Sequence, residues 1–184
     1  AVMTRPGAPS RRDEGRDVEA ALSRYREIRR IQEPGTLDGG DVLRVGTKLF
    51  VGLSGRTNDE GIVQLRALIA EFGYEVKAAA LHDCLHLKSA VTAVGERTLL
   101  GNSVWVDPRQ FGDVEWIEVD AREPFGANAL RVGDGIIYPR AFVHTAELLG
   151  KHPHTRNISL DLVDASELAK AEGGVTCCSL ILES

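Results

Sequence analysis

The sequence predicts an α/β fold built from repeated strand–strand–helix–strand units set radially about an axis. Three observations carry this. First, "DVLRVGTKLFVGLS" (41–54), "SAVTAVGERTLLGNS" (89–103) and "NALRVGDGIIYPRA" (128–141) share one pattern: an apolar run, a Val-Gly step, polar residues and a second apolar run. Such a pattern makes a β-hairpin with a tight turn. Second, the Val-Gly steps align Val45, Val94 and Val132, which lie 49 and 38 residues apart, within the range of repeat architectures. Third, a helical or loop stretch and then a further apolar strand follow each hairpin. Short repeated ββαβ units favour a propeller-like ring, although a plain α+β sandwich would satisfy the same elements.

The units read in order as follows. The opening "AVMTRPGAPSRRDEGRDVEAALSRYREIRRIQ" fits the second strand of a hairpin (residues 1–4), a loop, a helix and a returning "RIQ" strand. The chain thus starts inside a unit, and we expect a first blade to be incomplete at the N-terminus. After the first full hairpin, Thr57 or Asn58 is a suitable N-cap. Ile62, Leu65, Leu68 and Ile69 then fall at helical spacing, Gly73 supplies a stop, and "YEVKAAAL" returns as a strand. After the second hairpin the helix is short or missing, and "VEWIEVD" is the returning strand. After the third, "PRAFVHTAELLGK" is a helix and "ISLDLVD" a strand. Residues 1–184 are expected to form a single domain.

Composition narrows the function. A 184-residue chain can bury a sizeable core. The net charge of −5 argues against a nucleic-acid surface. No apolar run approaches the roughly 18 residues of a membrane span, and the first residues carry no signal-peptide pattern. Three cysteines form an odd count, which argues against a disulfide framework and for a reducing, cytoplasmic setting.

The repeat also places chemistry. Asp38 precedes Val45 by seven residues, and His86 precedes Val94 by eight. A carboxylate and an imidazole thus occupy nearly the same point of two units, and equivalent points of a radial array converge near one end of the axis. The closing "GGVTCCSLILES" reads as a strand, in which alternate side chains share a face. Thr176, Cys178, Leu180 and Leu182 make the more apolar face, giving Cys178 a packing role. Cys177 lies with Ser179 on the other, just after Gly173 and Gly174. The pattern favours Cys177 over Cys178 as a reactive thiol, while Val175 and Ile181 keep its face partly apolar. Cysteine, histidine and acid form a workable nucleophilic set, although most proteins contain all three.

The motifs "TRPGAPSRR", "TLDGGDVLRVG", "VGLSGRTNDEG", "LHLKSAV", "ANALRV" and "EGGVTCCSLIL" together resemble the dimethylarginine dimethylaminohydrolases, members of the pentein superfamily of α/β-propellers. The resemblance runs along essentially the whole chain. It implies Cys177 as nucleophile, His86 as general acid/base and Asp38 as the acid that orients it. Arg56 and Arg11 would bind the substrate carboxylate, with Arg12 competing for the latter role. It further implies hydrolysis of Nω-methylated arginine to citrulline and a methylamine through a covalent thiouronium, with no metal or organic cofactor. The partner would be that small substrate, not nucleic acid or membrane, and the oligomeric state, a homo-oligomer included, is left open. The acidic strand that meets the guanidinium in that family has no counterpart in these residues.

Two rivals stand beside this reading. An arginine deiminase-like hydrolase would carry an inserted helical domain, which the continuous "RTNDEG" region lacks. A non-catalytic guanidine-binding protein would keep the fold and lose turnover. "HDCLH" places His82, Cys84 and His86 together, yet zinc would lack a fourth ligand there. Asp41 is expected to hold the turn of "DGGD", His144, His152 and His154 to be exposed, and Trp105 and Trp116 to belong to the core.

Overall fold

The computed structural model describes residues 1–182. Strand β1 (Val2–Met3) pairs in parallel with β2 (Arg29–Arg30) across helix α1 (Arg16–Leu22). The next unit contains β3 (Val42–Val45), β4 (Lys48–Leu53), α2 (Asp59–Ile69) and β5 (Glu75–Ala80). A one-turn helix, α3 (Leu87–Ala90), leads into β6 (Val91–Ala93), β7 (Thr98–Gly101) and β8 (Glu115–Glu118). Here a 3₁₀ turn, Pro108–Phe111, stands where the other units have a helix. The last unit holds β9 (Leu130–Val132), β10 (Gly135–Pro139), α4 (Val143–Lys151) and β11 (Ser159–Val163), followed by α5 (Ser166–Lys170).

Each of the three full units is a three-stranded sheet with its second hairpin strand in the middle, antiparallel to the first and parallel to the third. The first and third hairpins turn on Gly46 and Gly133, whose φ values of +58° and +56° a side chain would disfavour. Asn58 caps α2 by accepting from the Gly61 N–H at 2.9 Å, and Gly73 ends the following 3₁₀ turn in the left-handed region.

The core explains why the units need one another. One apolar cluster joins Phe50 and Leu43 of one sheet to Leu99, Val91 and Phe111 of the next. A second joins Leu100 and Ile117 to Ile136, Tyr138 and Leu149. A third joins Ile31 and Leu37 to Val51, Ile62 and Leu65. Adjacent residues of the middle strands thus feed different clusters, Phe50 and Val51 in β4 and Leu99 and Leu100 in β7. Both faces of each such strand are buried, and every cluster is an interface between units. The opening strands β3, β6 and β9 neighbour one another in that order. The repeated units expected from the sequence are therefore the observed ones, and Val2–Met3, within residues 1–4, form the expected strand. Among the described residues, no helix is long and apolar enough to cross a membrane.

The C-terminal stretch departs from expectation. Val175–Cys178 form turns, with the Cys177 N–H on the Gly174 carbonyl at 3.1 Å and the Ser179 N–H on that of Thr176. Strand alternation holds only for extended, paired backbone, and residues 171–182 pair with no strand among the described residues. Cys178 has no packing role: it is exposed, as are Leu180, Ile181 and Leu182.

Candidate active site

The "DGGD" segment builds the floor of the site. Asp41 is fully buried, and its carboxylate accepts from the Ser54 hydroxyl, the Thr57 hydroxyl (both 2.6 Å) and the Leu87 N–H (2.9 Å). It thus ties the loop after β4 and the start of α3 to one point. The turn-holding role expected for Asp41 is found, on a wider scale than one turn. Gly40 is glycine for a reason of space. A Cβ there would stand 2.7 Å from His86 Cγ, so the imidazole lies directly on the glycine backbone.

Above this floor Asp38 and His86 meet, as their equivalent repeat positions suggested. Asp38 Oδ2 is 3.0 Å from His86 Nε2, with side-chain exposures of only 5% and 15%. A carboxylate can only accept, so Nε2 carries the hydrogen. The other Asp38 oxygen accepts the Gly7 N–H at 2.9 Å, and Arg11 lies 3.5 Å from Oδ2. Burial alone would raise the Asp38 pKa; the bonds from His86 and Gly7, with the charge of Arg11, outweigh it and leave the carboxyl below its ordinary value.

Arg11 is held mainly by Glu14, with Nε at 3.0 Å from Oε2 and NH2 at 2.9 Å. That hydrogen bond raises its pKa against burial, and Asp38 and Cys177 add to the effect. It is Arg11, not Arg12, that faces Asp38. Arg56 sits on the neighbouring loop, its N–H bonded to the Ser54 hydroxyl at 3.0 Å. Its backbone packs so tightly on Gly7 that a Cβ at residue 7 would collide with it.

Cys177 approaches from the C-terminal turn, where its sulfur accepts weakly from the Gly174 N–H at 3.5 Å. It is exposed and lies within electrostatic range of two cations, Arg11 and Lys88. Burial lowers the pKa of Lys88, and the charges of Cys177 and Asp41 oppose that. Cys84 behaves differently: burial, with Asp41 and Asp83, pushes its thiol up to about 11, and its sulfur faces the His86 carbonyl. No group of three or more histidine, cysteine or acidic side chains among the described residues is set to hold a metal. His82 and His154 are exposed, whereas His144 and His152 are half-buried. Trp105 and Trp116 pack against the first core cluster.

Asp38, His86 and Arg11 are thus brought together, with Cys177 within electrostatic range of Arg11. The reading from sequence missed Gly7, Thr57 and Lys88. Only Thr57 left a trace there, as one of two residues proposed to cap α2; its hydroxyl instead joins Asp41 to the Asp38 N–H at 3.1 Å.

No protein-family model matches the chain. The chain is 41% identical over 185 residues to the N(G),N(G)-dimethylarginine dimethylaminohydrolase of Streptomyces coelicolor, across 99% of its own length and 69% of that protein's. To the protein of the same name from Pseudomonas aeruginosa it is 35% identical over 182 residues, across 98% and 70%. A solved structure of the Pseudomonas protein, a mutant complexed with citrulline, matches with a TM-score of 0.89 at 33% identity, over 97% of this chain and 69% of that one.

Proposed function

The chain belongs to the dimethylarginine dimethylaminohydrolase family, and from that premise we propose that it hydrolyses Nω-methylated arginines to citrulline and methylamines, with Cys177, His86 and Asp38 as its catalytic set. The observation that carries the assignment is the buried Asp38–His86 pair at 3.0 Å, with Cys177 within electrostatic range of the same Arg11 that faces Asp38.

In this reading the Cys177 thiolate attacks the guanidinium carbon. A guanidinium is a poor electrophile, so a thiolate suits it better than a hydroxyl. His86 gives a proton to the departing methylamine as its bond to that carbon breaks, leaving a thiouronium on Cys177. Water then attacks the same carbon, His86 takes the water's proton, and the carbon–sulfur bond breaks to release citrulline and the thiolate. Because Nε2 is engaged by Asp38, Nδ1 is the nitrogen that moves the proton. Asp38 fixes the tautomer and stabilises the imidazolium. Arg56 and Arg11 hold the substrate carboxylate, a task suited to planar guanidinium groups. The three free thiols fit a reducing compartment, and we place the enzyme in the cytoplasm.

Citrulline formation from asymmetric dimethylarginine, monomethylarginine and free arginine tests the reading. Turnover of the methylated substrates with little from arginine supports it. Preference for arginine would make the protein a deiminase, and tight binding of methylarginine without turnover would make it a binding protein.

A further inference from the structure

Asn128, in the loop before β9, contacts both halves of the site. Its side-chain N–H group donates to the Lys88 carbonyl at 3.0 Å, on the short helix that begins after His86. The same group donates to the Thr176 hydroxyl at 2.8 Å, and its carbonyl oxygen accepts the Thr176 N–H at 3.2 Å. Thr176 immediately precedes Cys177. One amide therefore links the short helix that His86 leads into to the turn carrying the thiol, over a sequence separation of 40 residues on one side and 48 on the other.

Asn128 is itself held firmly. The Thr92 hydroxyl of β6 donates to the Ala127 carbonyl at 2.6 Å and accepts the Ala129 N–H at 3.1 Å, clamping the backbone on both sides of it. Ala127 and Ala129 are buried. The amide also presses on the glycine pair of the turn, since a Cβ on Gly174 would stand 2.6 Å from Asn128 Cγ. Val175 is buried within the turn while Cys177 and Cys178 are exposed, so burial holds the turn at Val175 and the Asn128 amide holds it at Thr176, next to the thiol.

We infer that Asn128 is a positioning residue, setting the Cys177 turn against the His86 helix so that thiolate and imidazole reach the same substrate carbon. The inference rests on the hydrolase reading above. Misplacing a reacting group by about 1 Å can cost on the order of a hundredfold in rate, whereas ground-state binding by Arg56 and Arg11 is left in place. Asn128→Ala should therefore lower kcat about 10- to 100-fold with KM within about threefold.

Three measurements test this on the purified protein: steady-state kinetics with dimethylarginine, amide hydrogen exchange, and thermal melting. In Asn128→Ala, exchange across residues 174–178 should rise about tenfold, since the Thr176 N–H loses its acceptor, while α2 and β4 stay protected. Thr176→Val, a milder change on the turn, should lower kcat in the same direction, and Thr176→Ser should restore it. A loss of kcat in Thr176→Val but not Thr176→Ser supports the inference even if Asn128→Ala folds poorly. Unchanged exchange at the turn, or loosened exchange with kcat intact, overturns it. If the unaltered protein makes no citrulline, the hydrolase reading fails, and the exchange result alone decides whether Asn128 holds the turn.

Discussion

The two halves of the site are built in opposite ways. Around Asp38 and His86 nearly every polar group is buried and satisfied: Asp41 takes three hydrogen bonds, Asp38 is met by His86, Gly7 and Arg11, and Gly40 leaves room for the imidazole. Around Cys177 the chain is a turn with the thiol exposed, held by buried Val175, its own backbone bonds and the reach of Asn128. The contrast suggests a division of labour. On the proposed reading, the group that must keep one tautomer and one orientation is locked into the core, while the proposed nucleophile, which must meet the substrate and later release it, stands at the surface. On that reading the locked half serves stability as well as catalysis, and the open half catalysis.

Substitutions can break this contrast. The largest effect is expected at the open half. Cys177→Ser should abolish citrulline formation, because a serine hydroxyl is far less ionised, while leaving the melting temperature within about 2 °C, as expected of an exposed site. Cys178→Ser should keep most of the activity; a dead Cys178→Ser with an active Cys177→Ser would exchange the two roles.

Asp38→Asn comes next, with turnover slowed by about 10²- to 10⁴-fold at constant fold, by analogy with other imidazole-orienting acids. This carboxyl also couples to acid stability. Its folded pKa lies below the ordinary carboxylate value of about 3.9. Its stabilising contribution is therefore present above that value and is lost as pH falls through the folded pKa. Asp38→Asn should flatten that part of an acid denaturation curve, and an unchanged curve would show that the pair adds nothing to stability.

Asp41→Ala should act on the fold before the chemistry. It leaves the buried Thr57 hydroxyl, the half-buried Ser54 hydroxyl and the buried Leu87 N–H without their acceptor, at about 1–3 kcal/mol for each buried group left unsatisfied. Chemical denaturation should show a loss of several kcal/mol, and a loss below about 1 kcal/mol would mean that water replaces the carboxylate. The smallest effect concerns Cys84, whose thiol stays protonated at neutral pH with a pKa of about 11. Iodoacetamide at pH 8 should label Cys177 and Cys178 well before Cys84.

The same contrast explains how much could be read from the sequence. The locked half was legible because it rides on the repeat: equivalent positions before Val45 and Val94 put Asp38 and His86 on adjacent units, and hairpin geometry did the rest. Asn58 and Gly73 were legible because capping is local. The open half was not. Alternation along "VTCCSLIL" presumed a strand, whereas a side chain 48 residues away holds Thr176 in a turn. It favoured Cys177 on a pattern the backbone does not have. Arg11 is a similar case, since nothing in "PSRR" announces that Glu14 holds its guanidinium.

Trapping the covalent intermediate tests the central claim most directly. The protein would be mixed with asymmetric dimethylarginine, quenched in acid within the first turnovers, digested and sequenced by mass spectrometry. The account predicts an adduct of the substrate's amidino carbon and side chain on Cys177, absent from Cys178 and Cys84, and lost in Cys177→Ser. Citrulline formed at full rate in Cys177→Ser, or an adduct confined to Cys178, would contradict it.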